Sequence, residues 1–452
     1  MTRIARTSLF LLALAGIVAG AEFRAGTARI RITSTASIRL AGYNRDAPSS
    51  GVHDELWAKA LAIQDSRGAS TLIVTTDLIG LPGSLTDAVA AELGKRHKLP
   101  RSRVLFNSSH THTGPVVWGN LLALFAVEPA EEAPVREYTR ELQQKLVTVA
   151  EAALADLSPA RVFFGRGTAG FAANRRVLTP KRVRFGVNQD GPVDHDVPVL
   201  LVRSRERVKA VLFGYACHLT TVGPARAISA DYAGAAQAEL EETYPGALAL
   251  FLQLCGGDQN PYPRGSWRFV SEHGAALAAE VGRVLGASMR EVHGPSGASL
   301  EFAKPKFQPH TREMFERELK EKQGALARRA AAMLRAYHSG APVTEISYPV
   351  QVLRFGRDLT IVALGGEVVV DYALRIKKEL PAGATVVAAY SNDVMCYVPS
   401  ARILREGGYE AADNMALFGQ PGPFDQSVEQ TIMQAVGAAI KAAGKVVPRS
   451  GR

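Results

Sequence analysis

Short apolar runs that stop abruptly at polar or glycine-containing turns are the feature that most constrains the fold of this chain. Such runs are typical of strands covered on both faces. Segments with helical periodicity lie between them, and this alternation predicts an α/β fold with a mixed, largely buried β-sheet flanked by helices on both faces. The strand-like runs are Leu72–Thr75, Val104–Phe106, Ala210–Ala216, Leu248–Leu254, Leu359–Leu364 and Thr385–Ala389. The helical segments are Leu85–Leu93, Glu137–Leu154, Ala233–Glu241, Gly274–Leu285 and Val368–Glu379.

Two other segments carry weaker signals. The stretch from Arg312 to Tyr337 repeats Arg, Lys, Glu, Leu and Ala with helical spacing, which predicts one long amphipathic helix. Its charges are of mixed sign, so a solvated surface helix is favoured over a membrane-facing or partner-binding one. The acidic stretch from Glu128 to Glu137 contains proline and is interpreted as a loop.

The N-terminus predicts export. Arg3 and Arg6 precede an apolar stretch from Leu9 to Val18 that is short for a bilayer span, and Ala19-Gly20-Ala21 offers a small-residue cleavage site. We expect a signal peptide over residues 1–21, cleaved after Ala21, and a protein delivered to the periplasm or the cell exterior. An uncleaved anchor is the alternative. No later segment is expected to span a membrane, and residues 22–452 are expected to form a single catalytic domain.

Composition limits the class of partner. The chain is 47% hydrophobic and 21% charged, as globular proteins are. Its net charge of +10 is spread without a dense basic block, so nucleic acid is not expected as a partner. The diffuse positive charge favours peripheral contact with an anionic membrane or cell envelope, and no protein partner is predicted. Cys217, Cys255 and Cys396 lie in apolar runs and are interpreted as core residues, with a single disulfide left open.

Several polar residues follow the predicted strands. The segment Asn107–Pro115 comes directly after one strand and contains His110 and His112, while His218 ends another. Glu367 and Tyr397 follow two more strand-like runs. Because ligands gather beyond the carboxyl ends of strands in α/β sheets, these residues predict a metal site at that edge. Taken singly, the histidines could instead be hydrogen-bonding loop residues, the glutamate a helix cap and the tyrosine structural.

These segments together resemble the neutral, non-lysosomal ceramidase family over most of the chain. The matching blocks are Ala25–Thr33, Gly42-Tyr43, Gly51–Asp54, Ala58-Lys59-Ala60 and the histidine segment Asn107–Pro115. The resemblance implies one zinc ion held by His110, His218, Glu367 and Tyr397. It further implies a proton-handling role for His112, a substrate-site role for Arg175 in Asn174-Arg175-Arg176, and a position near the scissile carbonyl for Tyr409.

One departure from the family pattern affects the expected mechanism. The segment Gly256–Pro261 resembles the family's catalytic-serine segment, but Asn260 stands at the serine position. An amide cannot be an activated nucleophile of the serine type, although it can hydrogen-bond to a carbonyl or an oxyanion. Attack by a zinc-activated water is therefore expected. The family's additional carboxy-terminal β-sandwich domain is expected to be absent.

The predicted function is hydrolysis of the C–N amide bond of an N-acyl, ceramide-like lipid or related small molecule by an exported zinc enzyme. Two alternatives stay open at this point. A metal-dependent esterase or cell-envelope conjugate hydrolase is the first, and a non-catalytic binding protein that retains the fold is the second.

Overall fold

A computed structural model of the protein describes residues 23–121, 124, 129–380 and 384–445. The predicted signal peptide over residues 1–21 lies outside the described residues. Among the described helices, none is both long enough and apolar enough to cross a bilayer. The helices are α1 (Gly83–His97), α2 (Pro129–Ala155), α3 (Asp231–Thr243), α4 (Trp267–Gly286), α5 (Arg312–Glu321), α6 (Gly324–His338), α7 (Val370–Glu379), α8 (Ala401–Glu406) and α9 (Val428–Ala443).

The strands form one large mixed sheet and several smaller ones. In the described part of the chain they are β1 (Phe23–Arg31), β2 (Gly51–Val52), β3 (Trp57–Asp65), β4 (Ser70–Thr76), β5 (Val104–Ser108), β6 (Ser158–Thr168), β7 (Ala172–Leu178), β8 (Val183–Asn188), β9 (Asp196–Ser204), β10 (Arg207–Tyr215), β11 (Ala227–Ile228), β12 (Leu248–Gln253), β13 (Gln259–Pro261), β14 (Arg290–Val292), β15 (Ser296–Ala303), β16 (Tyr348–Phe355), β17 (Leu359–Leu364), β18 (Glu367–Val368), β19 (Ala384–Ala388) and β20 (Tyr397–Val398).

The large sheet has the order β12-β10-β9-β6-β1-β3-β4-β5, with β14 paired to β6. A second sheet has the order β15-β16-β17-β19, and β13-β7-β8 forms a third. The large sheet contains antiparallel strand pairs such as β1–β3 as well as the parallel pairs β4–β5 and β10–β12, and the second sheet contains the parallel pair β17–β19. The predicted α/β class with a mixed sheet is confirmed.

The two largest sheets pack face to face between layers of helices. In β10, Val211 and Phe213 belong to the same core cluster as residues of α3 and α4, whereas Leu212 packs toward the second sheet. In β16, Val352 belongs to a cluster shared with α7 and α9, whereas Leu353 faces the large sheet. Successive strand residues point to opposite faces. Both faces of each sheet are therefore buried, which explains why these strands are apolar runs rather than alternating patterns.

Two sequence-based expectations about helices were wrong. The stretch expected as one helix over residues 312–337 is a helical hairpin of α5 and α6. Lys322 and Gln323 are extended between the helices and Gly324 has φ +64°, so the helix is interrupted there. Folding back buries Phe315 of α5 against Met333 and Leu334 of α6.

Residues 129–137 of the acidic stretch expected as a loop belong to α2, which begins at Pro129, whereas Glu128 lies outside the described residues. Pro129 occupies the first helical position, where proline is well tolerated, while Pro134 lies further inside the helix. The acidic Glu131 and Glu132 in the first turn favour the positive end of the helix dipole. Glu131 also forms an ion pair with Arg39 at 2.8 Å. Proline and acidic residues are common both in loops and at the N-termini of helices, so the composition of this stretch did not distinguish the two.

The buried side chain of Asn107 joins the ends of three strands. At the end of β5, its Nδ2 donates to the Ala389 carbonyl after β19 at 2.7 Å and to the Gln253 carbonyl of β12 at 3.2 Å. Its Oδ1 accepts from the Gln253 backbone N–H at 2.8 Å. The outer strands β5 and β12 of the large sheet and β19 of the second sheet are thereby held together.

We expect Asn107→Ala to lower the free energy of unfolding by about 3 kcal/mol, because it leaves several buried backbone groups without partners. Urea denaturation followed by circular dichroism measures the change. Asn44→Ala is the matched control, since Asn44 is exposed, and it should change stability by less than about 0.5 kcal/mol. Equal free energies of unfolding for the two variants would show that the hydrogen bonds of the Asn107 side chain do not stabilise the fold.

Candidate metal centre

Six of the predicted site residues, carried by five separate segments of the chain, lie together. His110 and His112 follow β5, His218 follows β10, and Glu367 and Tyr397 lie in the paired strands β18 and β20. Arg175, from β7, reaches the same point. His110, His218, Glu367, Tyr397 and Arg175 are each less than 5% exposed. The polar residues at the strand ends thus form one buried cluster.

The backbone around the cluster is closely packed. His110 has φ +68°, in the left-handed region, and its backbone N–H donates to the Leu78 carbonyl at 2.8 Å. After β12, Gly256 and Gly257 pass close to the segments that carry His218 and Glu367. A Cβ on Gly256 would lie 2.7 Å from the Cys217 backbone N, and one on Gly257 would lie 2.8 Å from the Glu367 carbonyl. Only glycines allow the β12 end to pass so close to both neighbours.

Hydrogen bonds to carbonyl oxygens orient two of the imidazoles. Nδ1 of His110 donates to the Ile79 carbonyl at 2.6 Å, and Nδ1 of His218 donates to the Gly256 carbonyl at 2.8 Å. In each neutral ring the proton therefore lies on Nδ1, and Nε2 is a bare acceptor. This is the arrangement commonly found in metal-binding histidines, whose second nitrogen donates to a protein oxygen.

The two bare nitrogens face one carboxylate oxygen. Oε2 of Glu367 lies 3.0 Å from Nε2 of His110 and 3.2 Å from Nε2 of His218. Although buried, this oxygen receives no hydrogen bond from the part of the chain that the structure describes. A buried carboxylate oxygen that faces two acceptor nitrogens and receives no hydrogen bond is costly unless a cation lies between them. The donor set therefore fits a bound metal ion.

His112 brings a third imidazole to the same place. Its Nε2 lies 3.0 Å from Nε2 of His110, and its ring packs against Tyr43 at 5.0 Å between ring centroids. The three histidine side chains offer nitrogens within 4.8 Å of one another. His112 can thus either join a metal or hold a proton beside it, which are the two roles that its spacing from His110 allows.

Burial shifts the pKa values of two imidazoles in the cluster. It lowers the pKa of His218 to about 4 and that of His112 well below its ordinary value, with Arg175 and His110 adding to the respective shifts. The pKa of Glu367 lies well below the usual range, because burial, which acts to raise it, is outweighed by the charge of a protonated His110 or His218 beside the carboxylate. Neutral imidazoles and an ionised carboxylate are the forms that bind metals.

Tyr397 and Arg175 complete the cluster. The Tyr397 hydroxyl lies 3.0 Å from Nε2 of His218 and accepts a hydrogen bond of 3.0 Å from Nη2 of Arg175. Burial raises the pKa of Tyr397 well above its ordinary value, and the charge of Arg175 opposes that shift. Nη1 of Arg175 lies 3.2 Å from Nε2 of His218 and 3.4 Å from Oδ1 of Asn260.

The two neighbouring arginines have different surroundings. Arg175 contacts the cluster and also donates to Glu410 at 2.8 Å. Arg176 turns away and binds Glu406, Glu410 and the Gly407 carbonyl. Glu410, which is 1% exposed, therefore pairs with both arginines, and Glu406 supplies the second negative charge beside Arg176. Glu410 was not identified from the sequence as a site residue. It could have been, because Glu410 is next to Tyr409 in the sequence and two buried arginines need an acidic residue nearby.

Tyr409 and Asn260 lie at the edge of the cluster. The Tyr409 ring packs on Tyr397, with 5.3 Å between centroids, and burial raises the pKa of its hydroxyl. Asn260 lies in β13, opposite Ala173 of β7, and is 9% exposed. All eight residues that the sequence predicts for the site are therefore brought together, while Tyr43 is a further side chain at the site that the sequence did not single out.

Cys217, Cys255 and Cys396 are all buried and none of them forms a disulfide. Their prediction as core residues is confirmed. Burial raises the pKa of each thiol, which keeps it neutral and unreactive.

Comparisons with known proteins agree with this fold. Residues 23–272, more than half of the chain, match the model of the family described as neutral/alkaline non-lysosomal ceramidase, N-terminal. The neutral ceramidase from Pseudomonas aeruginosa superposes with a TM-score of 0.71 at 19% identity, covering 96% of this chain and 77% of that one. A ceramidase complexed with C2 superposes equally well, with a TM-score of 0.71, 18% identity and the same coverage. None of the curated proteins matches significantly. The chain belongs to the neutral/alkaline non-lysosomal ceramidase family.

Proposed function

We propose that this protein is a zinc-dependent amidohydrolase that cleaves the amide bond of an N-acyl, ceramide-like lipid. The observation that carries the proposal is the buried Oε2 of Glu367, which lacks a hydrogen bond within the described chain and faces Nε2 of His110 and of His218. Membership of the ceramidase family supports hydrolysis of an amide.

His110, His218, Glu367 and Tyr397 would hold a single ion. Two imidazole nitrogens and two oxygen ligands suit zinc, which accepts both donor types in four-coordinate sites. When bound, zinc lowers the pKa of a water molecule and polarises a carbonyl group. The lowered pKa values of His218 and Glu367 support this assignment, because they favour the neutral imidazole and the ionised carboxylate that bind metals, whereas Tyr397 would have to lose its proton.

The remaining residues would act directly on the substrate. Arg175 has two N–H groups beside the cluster and would bind the amide carbonyl oxygen, with the Tyr409 hydroxyl as a second donor. His112, whose Nδ1 is buried without a hydrogen bond within the described chain, would hold or move a proton at Nε2. Asn260 has no nucleophilic oxygen, so its amide would orient the substrate by hydrogen bonds while water attacks.

Asn260 also favours the two other functions. A different metal-dependent hydrolase, acting on an ester or a cell-envelope conjugate, could use the same residues without a serine. A non-catalytic binding protein would retain the fold but not the reaction. Export through a signal peptide over residues 1–21, a single catalytic domain over residues 22–452 and contact with an anionic membrane or envelope remain predictions of the sequence.

We expect the purified protein to bind about one zinc ion per chain. His110→Ala and Glu367→Ala should each lower the zinc content by at least about tenfold, because each removes a ligand. Atomic emission measurements on zinc-loaded, dialysed protein test this. His97→Ala is the matched control, since His97 is a histidine on the surface paired with Glu151. A wild-type protein that retains no zinc would refute the metal centre.

A substrate panel separates the proposed functions. We expect N-acyl amides, including short-chain ceramides, to be hydrolysed, and activity to disappear with a chelator and return with added zinc. Release of free amine and free fatty acid is measured for amides, aryl esters and acyl amino acids. Turnover of esters alone would favour the alternative hydrolase, and no turnover of any compound would favour the binding protein.

Substitution of Asn260 tests the mechanism without a serine. Asn260→Ala should lower kcat by about 100-fold, as loss of one oxyanion donor commonly does, and Asn260→Ser should not raise it above the wild-type value. Tyr262→Phe, an exposed position two residues further on, serves as the control. Strong ceramide hydrolysis gained by Asn260→Ser alone would contradict the water-attack mechanism.

A further inference from the structure

A cavity of about 280 Å³ opens directly beside the proposed zinc centre. Arg175 and Tyr409 form its inner wall, and both also contact Tyr397. Its outer wall is formed by β8, which contributes Arg184 and Phe185, and by Arg182 in the turn before that strand. The cavity can therefore hold a group that is attached to the scissile amide by a few bonds.

Two of the four arginines that line this cavity are already neutralised. Arg175 and Arg176 share the buried carboxylate of Glu410, and Arg176 also pairs with Glu406. Arg182 and Arg184 are exposed and make no ion pair with the residues that the structure describes. Asp413 also lines the cavity, but it is exposed and pairs with neither. The mouth of the cavity thus carries uncompensated positive charge.

Hydrogen bonds fix the backbone of the turn that leads into β8. The turn between β7 and β8 is closed by hydrogen bonds between Thr179 and the Arg182 backbone, including Thr179 N–H to the Arg182 carbonyl at 3.0 Å. Phe185 is 55% exposed, yet its ring packs on Tyr409 at 5.1 Å and under the Arg175 guanidinium at 5.0 Å. The exposed ring of Phe185 thus offers an apolar contact, and the exposed Arg182 and Arg184 that line the same cavity offer an anion site.

We propose that this cavity recognises an acidic group, a carboxylate or a phosphate, on the amine side of the substrate, through Arg182 and Arg184. Guanidinium groups bind both anions through paired, charge-assisted hydrogen bonds. The proposal rests on the proposed amidase function and names its substrate class as acidic N-acyl amides. One water molecule would cleave the C–N bond and release a fatty acid together with an acidic amine.

Matched substrates test the proposal. N-dodecanoylglycine is compared with its uncharged analogue N-dodecanoylglycinamide, and N-dodecanoyl phosphoethanolamine with N-dodecanoylethanolamine. All are used below their critical micelle concentrations, so that the measurement reports recognition of single molecules. We expect kcat/KM to be at least about tenfold higher for the acidic member of one or both pairs, mainly through KM. Which pair shows the preference identifies carboxylate or phosphate as the anion.

Variants of the hairpin localise the effect. The double variant Arg182→Gln, Arg184→Gln should bring the acidic and neutral substrates within about twofold of each other. Lys181→Gln is the matched control, because Lys181 is equally exposed in the same turn but does not line the cavity. It should retain the wild-type preference. Equal rates for both members of each pair in the wild type, or an unchanged preference in the double variant, would overturn the proposal.

Direct binding separates this inference from the proposed function. If neutral amides are cleaved without an acidic preference, only the anion site is refuted. If no amide is cleaved, the amidase proposal fails, and calorimetry with N-dodecanoylglycine still decides the anion site. Binding that weakens at least about tenfold in the double variant, but not in Lys181→Gln, would support it. Equal affinity of all three proteins, or no detectable binding, would overturn it.

Discussion

The rest of the structure depends on the buried amide of Asn107. Its hydrogen bonds to Gln253 and to the Ala389 carbonyl hold together the ends of three strands from two different sheets. The segment after β5 carries His110, the segment after β12 carries the Gly256-Gly257 turn, and the segment after β19 leads to Tyr397. A hydrogen-bonding side chain is needed here because sheet edges end in unpaired backbone groups that would otherwise be buried without partners. The geometry of the candidate metal centre thus depends on an interaction outside it.

Charge balance is the second condition on the site. A buried carboxylate, three imidazoles and two arginines would be unfavourable without compensation. Glu410 and Glu406 pair with Arg175 and Arg176, while the lowered pKa values of His112 and His218 favour neutral rings and leave Glu367 as the charge available to a cation. Because Arg175 is paired with Glu410, it would repel a cation in the cluster less strongly than an unpaired guanidinium would. Its N–H groups could then bind a substrate beside that cation. The unpaired cations lie further out, at Arg182 and Arg184, where water solvates them until a ligand arrives.

The sequence predicted a residue's position correctly where the adjacent residues in the sequence indicate whether it is buried. Buried strands such as β10 and β12 are apolar on both faces, so they and the polar residues that follow them, including His218, could be predicted. The polar hairpin of β7 and β8 was missed because Asn174-Arg175-Arg176 has no apolar pattern, and its burial depends on Glu410, more than 230 positions away. The break between α5 and α6 was also missed, since helical periodicity continues across it and only Gly324 marks the turn.

The positions of the proposed ligands, from residue 110 to residue 397, have a consequence for how the protein folds. Contacts between residues so far apart in sequence close large loops and form late. An intermediate in which only the first large sheet has formed lacks Glu367 and Tyr397, and so holds an incomplete set of donors. An ion that binds only the finished fold stabilises that state alone, by an amount that grows with its concentration. Metal supply would then govern the lifetime of the native chain as well as its chemistry.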